Sequence, residues 1–178
     1  MQTYIALLRG INVGGNSKVD MKILKALFES LGYKSVLTYI NSGNVIFSTK
    51  EANLATLAKR LEKELLKSFG FEIRVVVRDK KNFLAVAKAV PKVWLNNTEQ
   101  KTDILFLWED FDSKDSLKLI AQTKDVDTLK YVDGAIIWNV DRAHYIKSGM
   151  QKFIGTPLYK HMTARNVNTV RKLVELLK

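Results

Sequence analysis

Apolar positions along this chain recur at two periods, near two and near 3.6 residues, and the switches between them outline its elements. Tyr4–Arg9 is apolar on both alternating faces, as in a short buried strand. Met21, Leu24, Leu27, Phe28 and Leu31 then recur at helical spacing, with Asp20 placed to cap the start and Gly32 to end the run. Ser35–Ile40 reads as a second strand, Asn41-Ser42-Gly43-Asn44 as a turn, and Val45–Thr49 as the third strand of a hairpin. Leu54, Leu57, Leu61, Leu65 and Phe69 mark a second amphipathic helix closed by Gly70. Ile73, Val75 and Val77 alternate with Arg74 and Arg78 in a fourth strand.

The expected order is β-α-β-β-α-β, the ferredoxin-like split βαβ unit, within an α+β fold. Asp79 is placed to cap a further helix through Val90, which Pro91 ends. The order then restarts. Ile104–Trp108 reads as a strand, Ser116–Gln122 as a short helix, and Val126–Tyr131 with Ala135–Val140 as a hairpin turned at Asp133-Gly134. An interrupted helix near Met150–Tyr159 and a terminal one from Val167 to Leu177, capped by Asn166, complete a second, partial copy. The expected division is residues 1–90, a ferredoxin-like subdomain, and 91–178, a second α+β subdomain with C-terminal helices.

In a split βαβ unit the first two strands run the same way and the third returns between them. The loop after the first strand, Arg9-Gly10-Ile11-Asn12-Val13-Gly14-Gly15-Asn16-Ser17-Lys18, therefore meets the Asn41–Asn44 turn at one edge of the sheet. Glycines there let backbone N–H groups approach an anion, and the start of the first helix adds partial positive charge. The expected ligand contacts are Arg9, Asn12, Gly14, Gly15, Lys18, Asn41, Ser42 and Asn44. The alternative is a pair of tight turns whose Asn side chains satisfy local backbone groups. Asn16 stands where a P-loop requires lysine, and the glycine spacing does not make a Rossmann fingerprint. Tyr4 and Phe47 on the sheet suggest base stacking, but Ser42–Ser48 lacks the RNA-recognition signature, which favours a core role for both.

Charge sharpens this picture. The chain of 178 residues carries a formal net charge of +11. Residues 1–90 contribute +8, residues 91–141 contribute −4, and residues 142–178 contribute +7. That distribution suits a phosphate-bearing partner, a nucleotide or nucleic acid, although a lysine-rich surface alone gives the same sum. There is no cysteine, which excludes disulfides, thiolate nucleophiles and Cys-based zinc sites. Strand pattern starting at Tyr4 leaves no room for a signal peptide, and no apolar run reaches membrane-spanning length. The expectation is a cytoplasmic protein with no membrane partner, no metal and no cofactor.

Catalytic constellations are sparse. His144 and His161 share no metal-ligand spacing, and Ser42-Gly43 and Ser148-Gly149 lack a nucleophile elbow. Glu109, Asp110, Asp112 and Asp115 read as a solvated cap region in preference to a Mg²⁺ site. Thr163-Ala164-Arg165-Asn166 places an arginine and a capping Asn before the last helix, so Arg165 and Asn166 join the ligand-contact candidates. A structural salt bridge is the competing role for Arg165.

The stretches YIALLRGINVGG at 4–15, TYINSGNVIF at 38–47 and TARNVNTVRKL at 163–173 are long and unusual. Through them the chain resembles the bacterial domain-of-unknown-function family DUF1697. The resemblance implies a soluble α/β protein with no assigned chemistry or catalytic residues. Three functions follow as expectations. The first is binding of an anionic, phosphate-bearing ligand by the glycine loop and hairpin turn. The second is an enzyme positioning a small anionic substrate between the two halves. The third is a structural or interaction module.

Overall fold

The computed structural model describes residues 1–178 and divides into two compact units. One comprises Met1–Phe83 with Leu177, and the other Leu84–Leu176 with Lys178.

The first unit runs β1 (Gln2–Leu8), α1 (Met21–Ser30), β2 (Lys34–Tyr39), β3 (Asn44–Thr49), α2 (Leu54–Phe69) and β4 (Val75–Asp79). Its sheet order is β2-β3-β1-β4, with every neighbouring pair antiparallel. This is the element order expected from the pattern, with the third strand returning between the first two. Asp20 caps α1 by accepting from the Lys22 and Ile23 amides, and Asn53 caps α2 by accepting from Thr56 N. Gly70 ends α2 in the left-handed conformation. Leu24 and Phe28 of α1 and Leu57, Leu61 and Leu65 of α2 bury one sheet face, packing with Tyr4, Ala6, Leu8, Val45, Phe47, Val75 and Val77. Tyr4 and Phe47 are thus core residues, their rings 5.8 Å apart. Helix α3 (Lys80–Ala89) follows, its Asn82 amide held by Asp79 at 2.7 Å.

The second unit contains β5 (Gln100–Leu107), β6 (Asp127–Val132), β7 (Ala135–Asp141) and β8 (Met162–Asn166), ordered β6-β7-β5-β8 and again antiparallel throughout. The strand order repeats that of the first unit. The crossovers do not. Residues 108–126 hold only the 3-10 turns Glu109–Phe111 and Lys114–Leu119 where a short α-helix was expected over Ser116–Gln122. The expected helix at Met150–Tyr159 is reduced to α4 (Met150–Phe153) and the 3-10 turn Leu158–His161, because Gly155 and Pro157 interrupt it. The Thr163–Asn166 segment, read from sequence only as the lead-in to the last helix, is strand β8, and α5 (Val167–Leu176) begins directly after it. Asn166 caps α5 through a 2.9 Å bond from Thr169 N.

Short crossovers need side chains to pin them, and Asp127 does this for the segment between β7 and β8. Its buried carboxylate accepts from Trp138 Nε1 at 2.9 Å, Thr123 N at 2.8 Å, Gly149 N at 2.8 Å and the Ser148 hydroxyl. Burial alone would raise its pKa. The bonds from Ser148, Gly149, Thr123 and Trp138 outweigh burial and hold it below the usual carboxylate value. A depressed folded-state pKa stabilises above the unfolded value near 3.9 and is lost as pH falls through the folded one. We therefore expect Asp127→Ala to cost about 2–4 kcal/mol at neutral pH, because four donors lose their acceptor. Urea unfolding across pH is the check, and the gap between wild type and variant should narrow as pH falls below about 4.

Candidate functional site

The loop after β1 folds back on itself by backbone pairing and by one side chain. Asn12 N donates to Ser17 O at 3.0 Å, and Val13 pairs with Asn16. Gly10, Asn12, Gly14, Gly15 and Ser17 all take positive φ, which explains the concentration of glycine and short polar residues. The Asn12 amide closes the loop. Its Oδ1 accepts from Val19 N at 2.8 Å, and its Nδ2 donates to Val19 O at 3.0 Å and to Asn41 O at 2.8 Å. The loop is thereby tied both to the entry of α1 and to the β2–β3 turn.

A second contact locks the turn beneath the loop. Gly43 has φ +77° and its carbonyl accepts from Leu8 N at 2.8 Å. A Cβ there would stand 2.7 Å from Leu8 Cβ and 2.7 Å from Ile11 Cδ1. Asn44 is fully buried and donates Nδ2 to Tyr39 O at 2.9 Å and Ser42 Oγ at 3.0 Å, which shapes the turn from inside. Ile40 adopts φ +48° while half exposed, an unusual conformation for a β-branched residue.

These elements border a groove of about 600 Å³, lined by Asn12, Gly15, Asn16, Lys18, Val19, Asp20, Met21, Lys22 and Asn41. Gly14, Gly15, Asn16, Lys18, Lys22 and Asn41 are exposed along it or beside it. Arg9 is half-buried at the root of the loop, its amide bonded to Arg74 O at 2.9 Å. The sequence candidates therefore sort into kinds. The side-chain amides of Asn12 and Asn44 hold the loop and turn together, and Ser42 supports Asn44. Gly14, Gly15, Lys18 and Asn41 face solvent. The Asp20 carboxylate occupies the first amides of α1, so a resident negative charge stands where the helix dipole was expected to attract an anion. Lys22, absent from the sequence candidates, joins the groove. Its signal was its place in the first turn of a helix that Asp20 starts.

Arg165 and Asn166 belong to the second unit. Arg165 is 6% exposed, and its guanidinium donates to Thr163 Oγ1 at 3.0 Å and Ala164 O at 2.7 Å. Burial pulls its pKa down to about 10, which leaves it charged at neutral pH. The acidic cluster is divided among separate partners. Asp112 accepts from Tyr131 OH and Gly134 N, fastening the β6–β7 hairpin, and Asp110 meets His161 Nδ1 at 3.0 Å. Asp115 pairs with Lys118 at the surface, and no group of three His, Cys, Asp or Glu is arranged to hold a metal ion. No helix is long and apolar enough to cross a membrane.

The fold and this loop define an α+β protein of two four-stranded antiparallel sheets, with a glycine-rich loop seated on a hairpin turn in the first. The chain belongs to the family described as protein of unknown function (DUF1697), whose model matches residues 1–138. It is similar over 99% of both chains, at 29% identity and a TM-score of 0.86, to the structure of the conserved bacterial protein SP0830 from Streptococcus pneumoniae. No curated protein matches the chain.

The Gly43 packing yields a direct expectation. Gly43→Ala combines left-handed strain with two steric conflicts and should cost about 2–4 kcal/mol by denaturant unfolding. Gly14→Ala, at φ +61° with open space around it, should cost only about 1–2 kcal/mol.

Proposed function

We propose that the chain binds a phosphate-bearing anion, a nucleotide or a nucleic-acid strand, in the groove of the first unit. The observation that carries this reading is the groove itself, about 600 Å³, with Gly15, Asn16, Lys18, Lys22 and Asn41 among its lining residues. Gly14 and Gly15 supply backbone donors with no side chain in front of them, and Lys18 and Lys22 supply charge. Asp20 repels an anion from the first turn of α1, so the phosphate sits toward the loop and Lys18. Asn12 positions this loop through its three bonds and does not itself contact the ligand. The net charge of +11 favours the encounter with any such partner.

A thermal-shift series with nucleoside triphosphates, inorganic triphosphate and short oligonucleotides tests it. A ligand at about one hundred times its Kd stabilises by about 2.7 kcal/mol, a rise of about 5 °C or more in a chain of this size. Lys18→Ala with Lys22→Ala should abolish the rise and leave the melting temperature of the free protein unchanged, since both side chains are exposed. A nucleic-acid ligand should also weaken steeply with salt. Equal responses from wild type and double variant, or no response to any of these anions, overturn the reading.

A further inference from the structure

The two units cover corresponding sheet faces unequally. In the first, α1 and α2 present 10 and 16 residues of continuous helix to the face. In the second, 3-10 turns and the four-residue α4 do this work. Such short pieces make a narrower apolar ridge than an amphipathic helix, and the face is left incompletely sealed. The gap is a pit of about 200 Å³ between β5 and the β7–β8 crossover.

Its lining changes character along β5. Lys101, Asp103 and Leu105 alternate onto the same face, so the strand offers two charged groups and then an apolar surface over roughly 13 Å. Trp138 stands opposite Asp103, and Ala164 opposite Leu105. Met150, Phe153, Tyr159 and Met162 wall the apolar part, a polarizable and adaptable set. Lys101 Nζ and Asp103 Oδ2 are 2.8 Å apart, with side chains 25% and 17% exposed. An ammonium has three donors and a carboxylate about four acceptor sites, so each retains bonding capacity toward the pit. Asp127 fixes Ser148 and Gly149 just before α4, so the wall is held before any ligand arrives.

We infer that this pit is a binding site for a free amino acid with a medium-sized apolar side chain. The ligand carboxylate meets Lys101, its ammonium meets Asp103, and its side chain lies against Leu105, Phe153 and Met162. Size agrees with this class. Leucine and methionine each have nine non-hydrogen atoms, and a pit of about 200 Å³ is smaller than a drug-sized cleft and suits a ligand of that scale. An apolar body with both charges at one end matches the charged pair and the apolar wall of the pit.

Isothermal titration of the full chain with leucine, methionine, glycine, isocaproate and isoamylamine tests the assignment. Leucine and methionine should bind, and glycine should not. Isocaproate, which lacks the ammonium, and isoamylamine, which lacks the carboxylate, should each bind about tenfold or more weaker than leucine. Ala164→Phe, at an exposed position on the pit, should abolish leucine binding with no loss of melting temperature. Lys101→Met should weaken leucine but spare isoamylamine, and Asp103→Asn should weaken leucine but spare isocaproate. Silence from both leucine and methionine at about 10 mM, a millimolar-affinity ceiling, overturns the proposal. So does leucine binding unchanged in all three variants, or equal binding of leucine and its two single-charge analogues. None of these ligands carries a phosphate, so the outcome is independent of the groove in the first unit.

Discussion

The side chain of Asn12 is the contact on which the loop geometry of the first unit depends. One planar amide accepts from Val19 N and donates to two carbonyls, Val19 O and Asn41 O, on separate parts of the chain. A ten-residue loop with three glycines has much conformational entropy to lose and few apolar side chains to offset it. Ile11 is the buried exception, and it lies against the position where any side chain on Gly43 would stand. Hydrogen bonds from Asn12 and close packing at Gly43 together make one rigid edge from a loop and a turn. The groove borders that edge, which is why its exposed lysines have a fixed backbone to project from.

The same economy of short side chains appears in the second unit, with a different purpose. Its crossovers lack the long helices that seal the first sheet, so carboxylates take over as anchors. Asp127 gathers donors from β7 and from segments on both sides of the sheet's connections, and Asp112 closes the β6–β7 hairpin. A buried carboxylate without a lysine or arginine bonded to it is stable only when several oriented N–H and O–H groups replace its hydration. The acidic balance of residues 91–141 thus includes anchors of the fold as well as solvated charge.

The strand order of the first unit was legible because each element carried both a period and a terminator. Asp20, Gly32 and Gly70 mark helix ends through backbone chemistry that acts within a few residues. The meeting of the Arg9–Lys18 loop with the Asn41–Asn44 turn followed from connectivity alone. Gly155 and Pro157 were visible as interruptions, but how much helix survives between them depends on packing against the sheet. Strand β8 was missed because Thr163-Ala164-Arg165-Asn166 has too little apolar alternation, and its pairing with β5 is a long-range choice.

The sequence by itself therefore determined the local decisions: where helices start and stop, where the chain turns, and which residues are short enough for left-handed backbone. Those depend on forces that act over one turn or one hairpin. Only the tertiary structure decided what each polar side chain does. Asn12 and Asn44 have the same chemistry as Asn41, yet two are bound into the scaffold and one faces the groove. Arg165 reads in sequence either as an anion contact or as a structural residue, and in space it is buried on a strand. A side chain's partners are set by what folds against it from distant parts of the chain. The Arg9–Lys18 loop shows both halves of that division: its shape was written locally, and its rigidity comes from Asn41 and Gly43, some thirty residues away.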